Sequence, residues 1–470
     1  IILYYAGGGF VANLALFFNI FFILGILAQL SASLTLPGIA GIVLTIGMSI
    51  DANVLIFERI KEELRNNVNL KQAISNGYKK AYTSIIDANF TTLLVGIILY
   101  NFGQGPVKGF AVTLIIGIIC SFFSAVFITR VIIEKLSERG DKSRLNFSFP
   151  FSRNLLTNIN INFIGKRKIA YVFSTLFISF GMISLLFKGL ILGVDFKGGR
   201  SYVVTFNNSQ NPTEIESGLK ETFNNEGVEV KTFGADNILK ITTSYLISDE
   251  TDNADTQVKT NLISGIKSLT GLDYSKDDSK IDESHFTISS SSKVGATIAD
   301  DIKNSAFFSG LLALLAIFIY ILIRFRKWQF SVGAVIALFH DILFVISAFA
   351  FANLFGISYE IDQVFIAAML TIIGYSINDT VVVFDRIREN MGIKAGSDLI
   401  PVVNESINKT ISRTLITSMT TFIVVLVLFL FGGASLSGFS FALLIGIIVG
   451  TYSSVFIATP IVVDLYTENN

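Results

Sequence analysis

The chain has 470 residues, 51% of them hydrophobic, and a mean hydropathy of +0.63. Its 36 basic and 36 acidic side chains cancel, so global charge gives no reason to expect nucleic-acid or acidic partners. A single cysteine, Cys120, excludes an internal disulfide framework and a cysteine-rich metal site. Soluble enzymes of this length are rarely so apolar, and the composition points to a polytopic membrane protein.

Taken in order, the opening IILYYAGGGF lacks the basic start and cleavage region of a signal peptide and reads as the tail of a membrane span, so an N-terminal truncation is expected. A first membrane block, 1–135, holds predicted spans at 14–34, 39–57, 84–100 and 110–133. The connection ERIKEELRNNVNLKQAISNGYKK is rich in Lys and Arg, which makes it cytoplasmic by the positive-inside rule. Residues 136–168 are polar and basic and read as a cytoplasmic linker. The segment 169–199 supplies a fifth span and the stretch GVDFKGG. Residues 200–292 form the one substantial soluble segment, with more acids than bases, which places it on the opposite side of the membrane. Strand-like runs at SYVVTF, VEVKTFG, NILKITT and HFTISS alternate with two helical patterns in the order β-α-β-β-α-β, a ferredoxin-like arrangement. The second block, 293–470, has spans at 306–323, 332–352, 364–384, 411–431 and 439–463, bringing the expected total to about ten.

The two blocks resemble each other. LTIGMSIDANVLIFERIKEE matches TIIGYSINDTVVVFDRIREN at an offset of about 327, and the following spans match at about 329. ANLALFFNIFFI lines up with AVIALFHDILFV. Both copies enter and leave on the same sides, so this is a parallel duplication about an axis along the membrane normal. Within it, Asp51 sits in an apolar span and shares a helical face with Gly47, Leu55 and Glu58. An ionised carboxylate at that depth costs at least about 2.5–3.5 kcal/mol and therefore faces protein or a water path. Asp51 aligns with Asn378, while the second copy carries its acid one residue later, at Asp379.

Over essentially its whole length the chain resembles the bacterial SecD/SecF protein-export family in its fused form. LPGIAGIVLTIGMSIDANVLIFERIKEEL is the most specific block of the SecD-like part, and GVDFKGG and GYSINDTVVVFDRIREN are the diagnostic stretches of the SecF-like part. The first SecD-like span, the large extracytoplasmic domain after it and most of the second span have no counterpart here. The resemblance implies a fold like the resistance-nodulation-division (RND) transporters: two pseudo-symmetric helix blocks plus a small extracytoplasmic α+β domain. It also implies a multi-pass place in the bacterial inner membrane and a non-enzymatic accessory role beside the SecYEG translocon. There a proton gradient, or sodium in some members, helps preproteins across. It carries the ion pathway onto Asp51, Asp379 and Arg413.

The residues support a relay on their own chemistry. Two acids and a permanent cation can exchange an ion pair for a proton. Arg413, Thr417, Thr420 and Thr421 share a helical face, whose hydroxyls are expected to hold a water file; IIDANFTT offers Asp87, Asn89, Thr91 and Thr92 in the first block. Asn53, Asp87 and Asn89 divide between pathway and helix-packing roles, and Asn378 is a further pathway candidate. His340 beside Asp341, matched by Phe18 and Asn19, is either a relay or a satisfied structural histidine. Asp195, with Gly198 and Gly199, reads as a turn or cap carboxylate joining span to domain. Phosphate-loop spacing, a catalytic triad and a metal cluster are all absent from the sequence pattern, so no cofactor is expected. The sequons NES and NKT read as accidental. Two competing readings stay open: an RND-type exporter of small molecules or lipids, and a chaperone of the translocon that moves no ions.

Overall fold

The structure, a computed structural model, describes residues 1–32, 34–138, 145–149, 159–224, 227–247, 249, 251–276, 284–357, 359–393 and 398–467. The first block contains α1 (Ile2–Gln29), α2 (Leu36–Met48), α3 (Asp51–Arg65), α4 (Leu70–Phe102), α5 (Pro106–Phe123) and α6 (Thr129–Ser137). After α7 (Arg167–Lys188) and the short α8 (Val194–Lys197) comes a soluble domain: β1 (Gly199–Thr205), α9 (Pro212–Thr222), β2 (Val228–Phe233), β3 (Ala235–Thr243), α10 (Asp252–Thr270), β4 (Asp273–Ser275) and β5 (His285–Val294). The second block continues with α11 (Ala296–Phe325), α12 (Trp328–Leu354), α13 (Gln363–Ile393), α14 (Leu399–Phe431), α15 (Ala434–Ser453) and α16 (Thr459–Thr467). Among the described residues, 10 helical stretches are long and apolar enough to cross a membrane, α2 with α3, α5 with α6 and α15 with α16 counting as one each.

The helices outrun the apolar spans. α3 continues to Arg65 and α4 begins at Leu70, so the basic connection is mostly helical and only residues 66–69 turn, with the Asn69 side chain accepting the N–H of Gln72 at 2.9 Å. Hydropathy registers only the part of each helix that lipid or core must cover. The helix through Asp51 is also not continuous. It is broken by a turn at Ser49 and Ile50, so that Asp51 is the first residue of α3. Thr45 and Ser49 donate their hydroxyls to the carbonyls of Ile42 and Ile46 at 2.8 and 2.9 Å, back-bonding of the kind that bends helices. In the second block α13 runs unbroken past Asn378 and Asp379.

The duplication is written in the backbone as well. α5 passes into α6 through a π-helical turn at Ser124–Ile128, and α15 into α16 through another at Ser454–Ala458. In each, a threonine hydroxyl bonds the carbonyl of a serine five residues earlier: Thr129 to Ser124 at 3.1 Å and Thr459 to Ser454 at 2.7 Å. Such wide turns cost helical regularity and persist where a site needs them. The blocks share their cores: Ala40, Leu44, Val95 and Leu99 pack in one apolar cluster with Leu370, Ile373 and Leu443, while Val382 of α13 joins the first block's cluster. α13 is the most enclosed span, 89% of its apolar window being buried against 17% for the outer α7.

The segment expected as a cytoplasmic linker packs against the helices in its described parts. Leu145 and Phe147 are buried, and the Phe147 ring lies so close to Gly8 that a Cβ there would sit 2.8 Å away. Further on, the backbone N–H groups of Ile161 and Phe163 donate to Asn408 and Asn404 of α14, the two sequon asparagines, at 3.0 and 2.8 Å.

The soluble domain is a five-stranded sheet in the order β2-β3-β1-β5-β4, with α9 and α10 covering one face around Phe206, Leu219, Leu262 and Phe286. The antiparallel order of β2, β3, β1 and β5 is the ferredoxin-like one that the sequence suggests; β4, three residues long and parallel to β5, is additional. Gly199, at φ 132°, opens β1, where a Cβ would lie 2.8 Å from the Thr243 carbonyl oxygen, so only glycine fits. Arg200, 2% exposed, follows it and pins the domain: it bonds Asp255 and the carbonyls of Tyr245, Leu246 and Asp249.

Candidate functional site

Asp51, Asp379 and Arg413 meet where the blocks touch. Arg413 is 4% exposed; its Nη2 donates to Oδ1 of Asp51 and its Nη1 to Oδ1 of Asp379 at 3.1 Å. Asn378, the pseudo-symmetric partner of Asp51, donates its amide to the second oxygen of Asp51. Asp379 accepts in addition from Ser418 at 3.3 Å, and Ser418 lies 2.6 Å from Thr451. The one-residue offset of the acids decides this geometry: the position after Asn378 turns Asp379 toward α14, so both carboxylates reach one guanidinium from opposite sides. Two carboxylates on one cation leave an uncompensated negative charge when all are ionised, and one bound proton makes the cluster neutral.

The cluster lies between two cavities. Toward the basic loops opens one of about 550 Å³, lined by Glu58, Arg59, Glu62, Arg386, Ser412 and Arg413. On the other side of Asp51 lies one of about 30 Å³, bordered by Thr45, Asn89, Thr92, Ser121 and Asn378, large enough for a water molecule. Along α14 the hydroxyls of Thr417, Thr420 and Thr421 donate to carbonyls of their own helix, as Thr91 does in α4. Thr92 also reaches across, to the Gly374 carbonyl at 3.1 Å.

The secondary residues fall in separate places. Asn89 donates to the Ile85 carbonyl within its helix, and Oδ1 of buried Asn53 has no bonding partner among the described residues. Asp87 faces α11 instead of the cluster, accepting from Tyr320 at 2.7 Å and from Arg324 at 2.6 Å; Arg324 also reaches Asp385 at 3.4 Å. His340 and Asp341 form their own node among α7, α12, α13 and α15.

A ring of charges at the mouth of the large cavity was not singled out from sequence. Arg59 pairs with Glu389 at 3.1 Å and Arg386 with Glu62 at 2.7 Å, each bond crossing between blocks, while Arg59–Glu62 and Arg386–Glu389 close the ring at 3.2 and 2.9 Å. Arg59 and Arg386, and Glu62 and Glu389, are equivalents at the repeat offset. The signal was therefore present as identical residues at matching positions on the polar ends of α3 and α13.

Asp195 caps a helix far away in sequence: its carboxylate accepts the N–H of Gln363, first residue of α13, at 3.0 Å. Asp362 accepts the N–H of Phe365 at 2.8 Å, and Lys240 of β3 pairs with Glu360 at 2.5 Å. Burial pushes the Asp362 carboxyl up to about 6, with the Phe365 N–H opposing and the charge of Asp195 adding to the shift.

Two homologous helix bundles that meet on an arginine held between two acids, Asp379 buried and Asp51 half-buried, define a class: duplicated multi-pass membrane proteins with a charged site at the repeat interface, the arrangement found in ion-coupled transporters. Within that class the chain belongs to the SecD/SecF protein-export membrane protein family. The family's C-terminal profile, described as "Protein export membrane protein SecD/SecF, C-terminal", matches residues 2–139 and 274–468, and the "SecD/SecF GG Motif" matches 183–210. The chain is 34% identical to the protein translocase subunit SecDF of Bacillus subtilis over 97% of its own length and 61% of that protein's. It is 45% identical to the SecF subunit of Rhodothermus marinus, over 66% of this chain and 95% of the relative. The crystal structure of SecDF from Thermus thermophilus, titled a translocon-associated membrane protein, superposes with a TM-score of 0.85 at 34% identity, covering 99% of this chain and 60% of that one. The chain thus spans about three fifths of the length of the SecDF proteins it matches.

Proposed function

We propose that the chain is an accessory subunit of Sec-dependent protein export in the bacterial inner membrane, using a proton gradient to promote preprotein passage through the SecYEG translocon. In this reading 1–135 is the membrane block of a SecD-like half and 293–470 that of a SecF-like half. Residues 136–168 are the cytoplasmic connection, and 169–199 lead to the extracytoplasmic domain at 200–292. The observation that carries the reading is the single guanidinium shared by an acid from each block, open on one side to a cavity. Protonation of Asp51 or Asp379 removes one of the two carboxylate ties to Arg413 and so changes what holds α3, α13 and α14 together. One proton crossing 100 mV releases about 2.3 kcal/mol, enough to bias a two-state packing change.

The test is preprotein export and proton flux in proteoliposomes with and without the translocon. Asp51→Asn and Asp379→Asn should each insert normally yet lose gradient-dependent stimulation of export. Full-rate, proton-dependent export by a well-inserted Asp51→Asn protein would sink the proposal, and dependence on a sodium gradient in place of a proton gradient would reassign the ion.

A further inference from the structure

On the side of the basic loops, three helices meet at the boundary between the blocks, and each offers two polar side chains at helical spacing. These are Ser84 and Asp87 on α4, Tyr320 and Arg324 on α11, and Asp385 and Arg388 on α13. Asp87 accepts from the Tyr320 hydroxyl at 2.7 Å and from Nε of Arg324 at 2.6 Å, so both its oxygens are tied to α11. Nη2 of Arg324 reaches the other way, to Oδ1 of Asp385 at 3.4 Å. Asp385 also accepts from Arg388 at 2.6 Å and, on Oδ2, from the Ser84 hydroxyl at 2.7 Å. Arg388 in turn donates to the backbone carbonyl of Arg324 at 3.4 Å, next to the end of α11 at Phe325.

The node is enclosed: the side chains of Asp87, Asp385 and Arg324 are 6%, 14% and 16% exposed. Charge-assisted bonds at such depth hold a geometry better than exposed ones do. Two acids here face two arginines, whereas at Arg413 two acids share one. Arg324 is singled out by its shape, because Nε and Nη2 serve an acid from each block, a fork that an ammonium cannot copy. α11 has little else to hold it. Of its apolar window 22% is buried, and Phe307, Leu311, Leu315 and Ile323 are exposed.

A second tie joins the same two helices further along. Thr92 of α4 donates to the Gly374 carbonyl of α13 at 3.1 Å, and a Cβ on Gly374 would come within 3.3 Å of the Thr92 side chain. On α13 the ties therefore fall at Gly374 and Asp385, with Asn378 and Asp379 between them; Asp385 is about 9 Å beyond Asp379 along the axis. On α4 they fall at Thr92 and at Ser84 and Asp87, and Ser84 also lines the large cavity. Neither helix can slide or turn against the other without breaking a tie.

We propose that Arg324 is a positioning residue: with Asp87 and Asp385 it locks α4 of the first block to α13 of the second as one body, which sets where Asn378 and Asp379 stand. The mechanical unit then crosses the boundary of the repeats, and a change at the Arg413 cluster does not act by separating these two helices. The inference goes beyond the proposed function and needs no ion gradient.

Pulsed electron paramagnetic resonance on the full chain in bilayers tests it. Spin labels go on exposed positions near the matching ends of the two helices, Lys79→Cys and Ile393→Cys, after the buried Cys120 is removed as Cys120→Ala. Asp87→Asn with Arg324→Gln removes the cation together with the acid that it binds most closely, and Asp385 keeps Arg388, so no charge is stranded. In that double variant the label-to-label distribution should broaden and shift to longer distance, with Arg324→Lys in between. A distribution equal to the parent's overturns the inference; lost stability beside an unmoved distribution would make Arg324 a stabilising contact and not a positioning one. Should the double variant fail to insert, Ser84→Ala cuts one tie without touching a charge and should give the same change on a smaller scale; no change refutes the lock. Asp51→Asn should leave the distribution as it is, because the two helices move together. A shift there would show them separating, against the one-body statement. Export by the same Asp51→Asn protein judges the proposed function alone.

Discussion

At the residue scale, the cluster depends on the shape of arginine more than on its charge. Arg413 serves Asp51 and Asp379 through different guanidinium nitrogens, a fork that a compact ammonium cannot reproduce. Arg413→Lys should therefore insert normally but lose about tenfold or more of gradient-driven export in proteoliposomes; retention of the full rate would mean that a point charge suffices. Arg413→Met strands the buried Asp379 and the half-buried Asp51 and should destabilise the protein by about 3–5 kcal/mol in unfolding experiments in bilayers, with Asp379→Asn recovering part of the loss by removing the buried stranded charge. The two acids were legible in the sequence because acids in apolar spans are costly and the repeat sets them one residue apart; Arg413 came from the family resemblance, with its place at the entry of the next span as support. Their spatial meeting was not legible. It depends on the one-residue offset between Asp51 and Asp379 and on how α14 is seated between α2 and α13, which no local pattern contains.

At the element scale, the helix carrying Asn378 and Asp379 is anchored at its far end by carboxylates from two different segments. Asp195, in the GG motif, and Asp362 cap the first turn of α13, while the Lys240–Glu360 pair ties the sheet to the residues just before it. Asp379 lies about 24 Å further along the same helix, at ~1.5 Å per residue. Negative charge favours a helix N-terminus, but two carboxylates there repel one another, and burial raises Asp362 to about 6 against its ordinary 3.8. Because the folded-state value is raised, the stabilising contribution of Asp362 is fully present below about pH 4 and is lost as pH rises through about 6. Hydrogen exchange in the first turn of α13 should accordingly speed up as the medium on the soluble-domain side goes from pH 4 to 7, beyond the ordinary chemical dependence. Asp362→Asn keeps a capping oxygen and should abolish that excess; an unchanged excess would clear Asp362 of the effect. The sequence showed Asp195 as a cap or turn acid, yet not that it caps a helix 168 positions away. The break at Ser49 and Ile50 escaped for a related reason: in composition α2 and α3 form one apolar run, and only the back-bonding of Thr45 and Ser49 interrupts it.

At the scale of the whole molecule, the duplication explains more than the number of spans. Matching π turns show that the two blocks kept even their irregular backbone, and the charge ring at the cavity mouth shows equivalent residues paired with each other's partners across the pseudo-axis. The ring is therefore a property of the assembled pair of blocks, which is why a reading of either block alone passes over it. Its glutamates remain about one third exposed, at 35% and 37%, so each bond should contribute modestly, and the ring acts through position more than strength. Double-mutant cycles on Arg59 with Glu389 and on Arg386 with Glu62 should each give a coupling of about 1 kcal/mol in unfolding experiments. Reversing Arg59 to Glu alone sets it against Glu62 and Glu389, and should slow export; adding Glu389→Arg restores one crossing pair and should recover most of the rate. If the single reversal is harmless, or the double reversal is no better than the single, the ring does not hold the mouth of the cavity and the blocks rely on their shared apolar core alone.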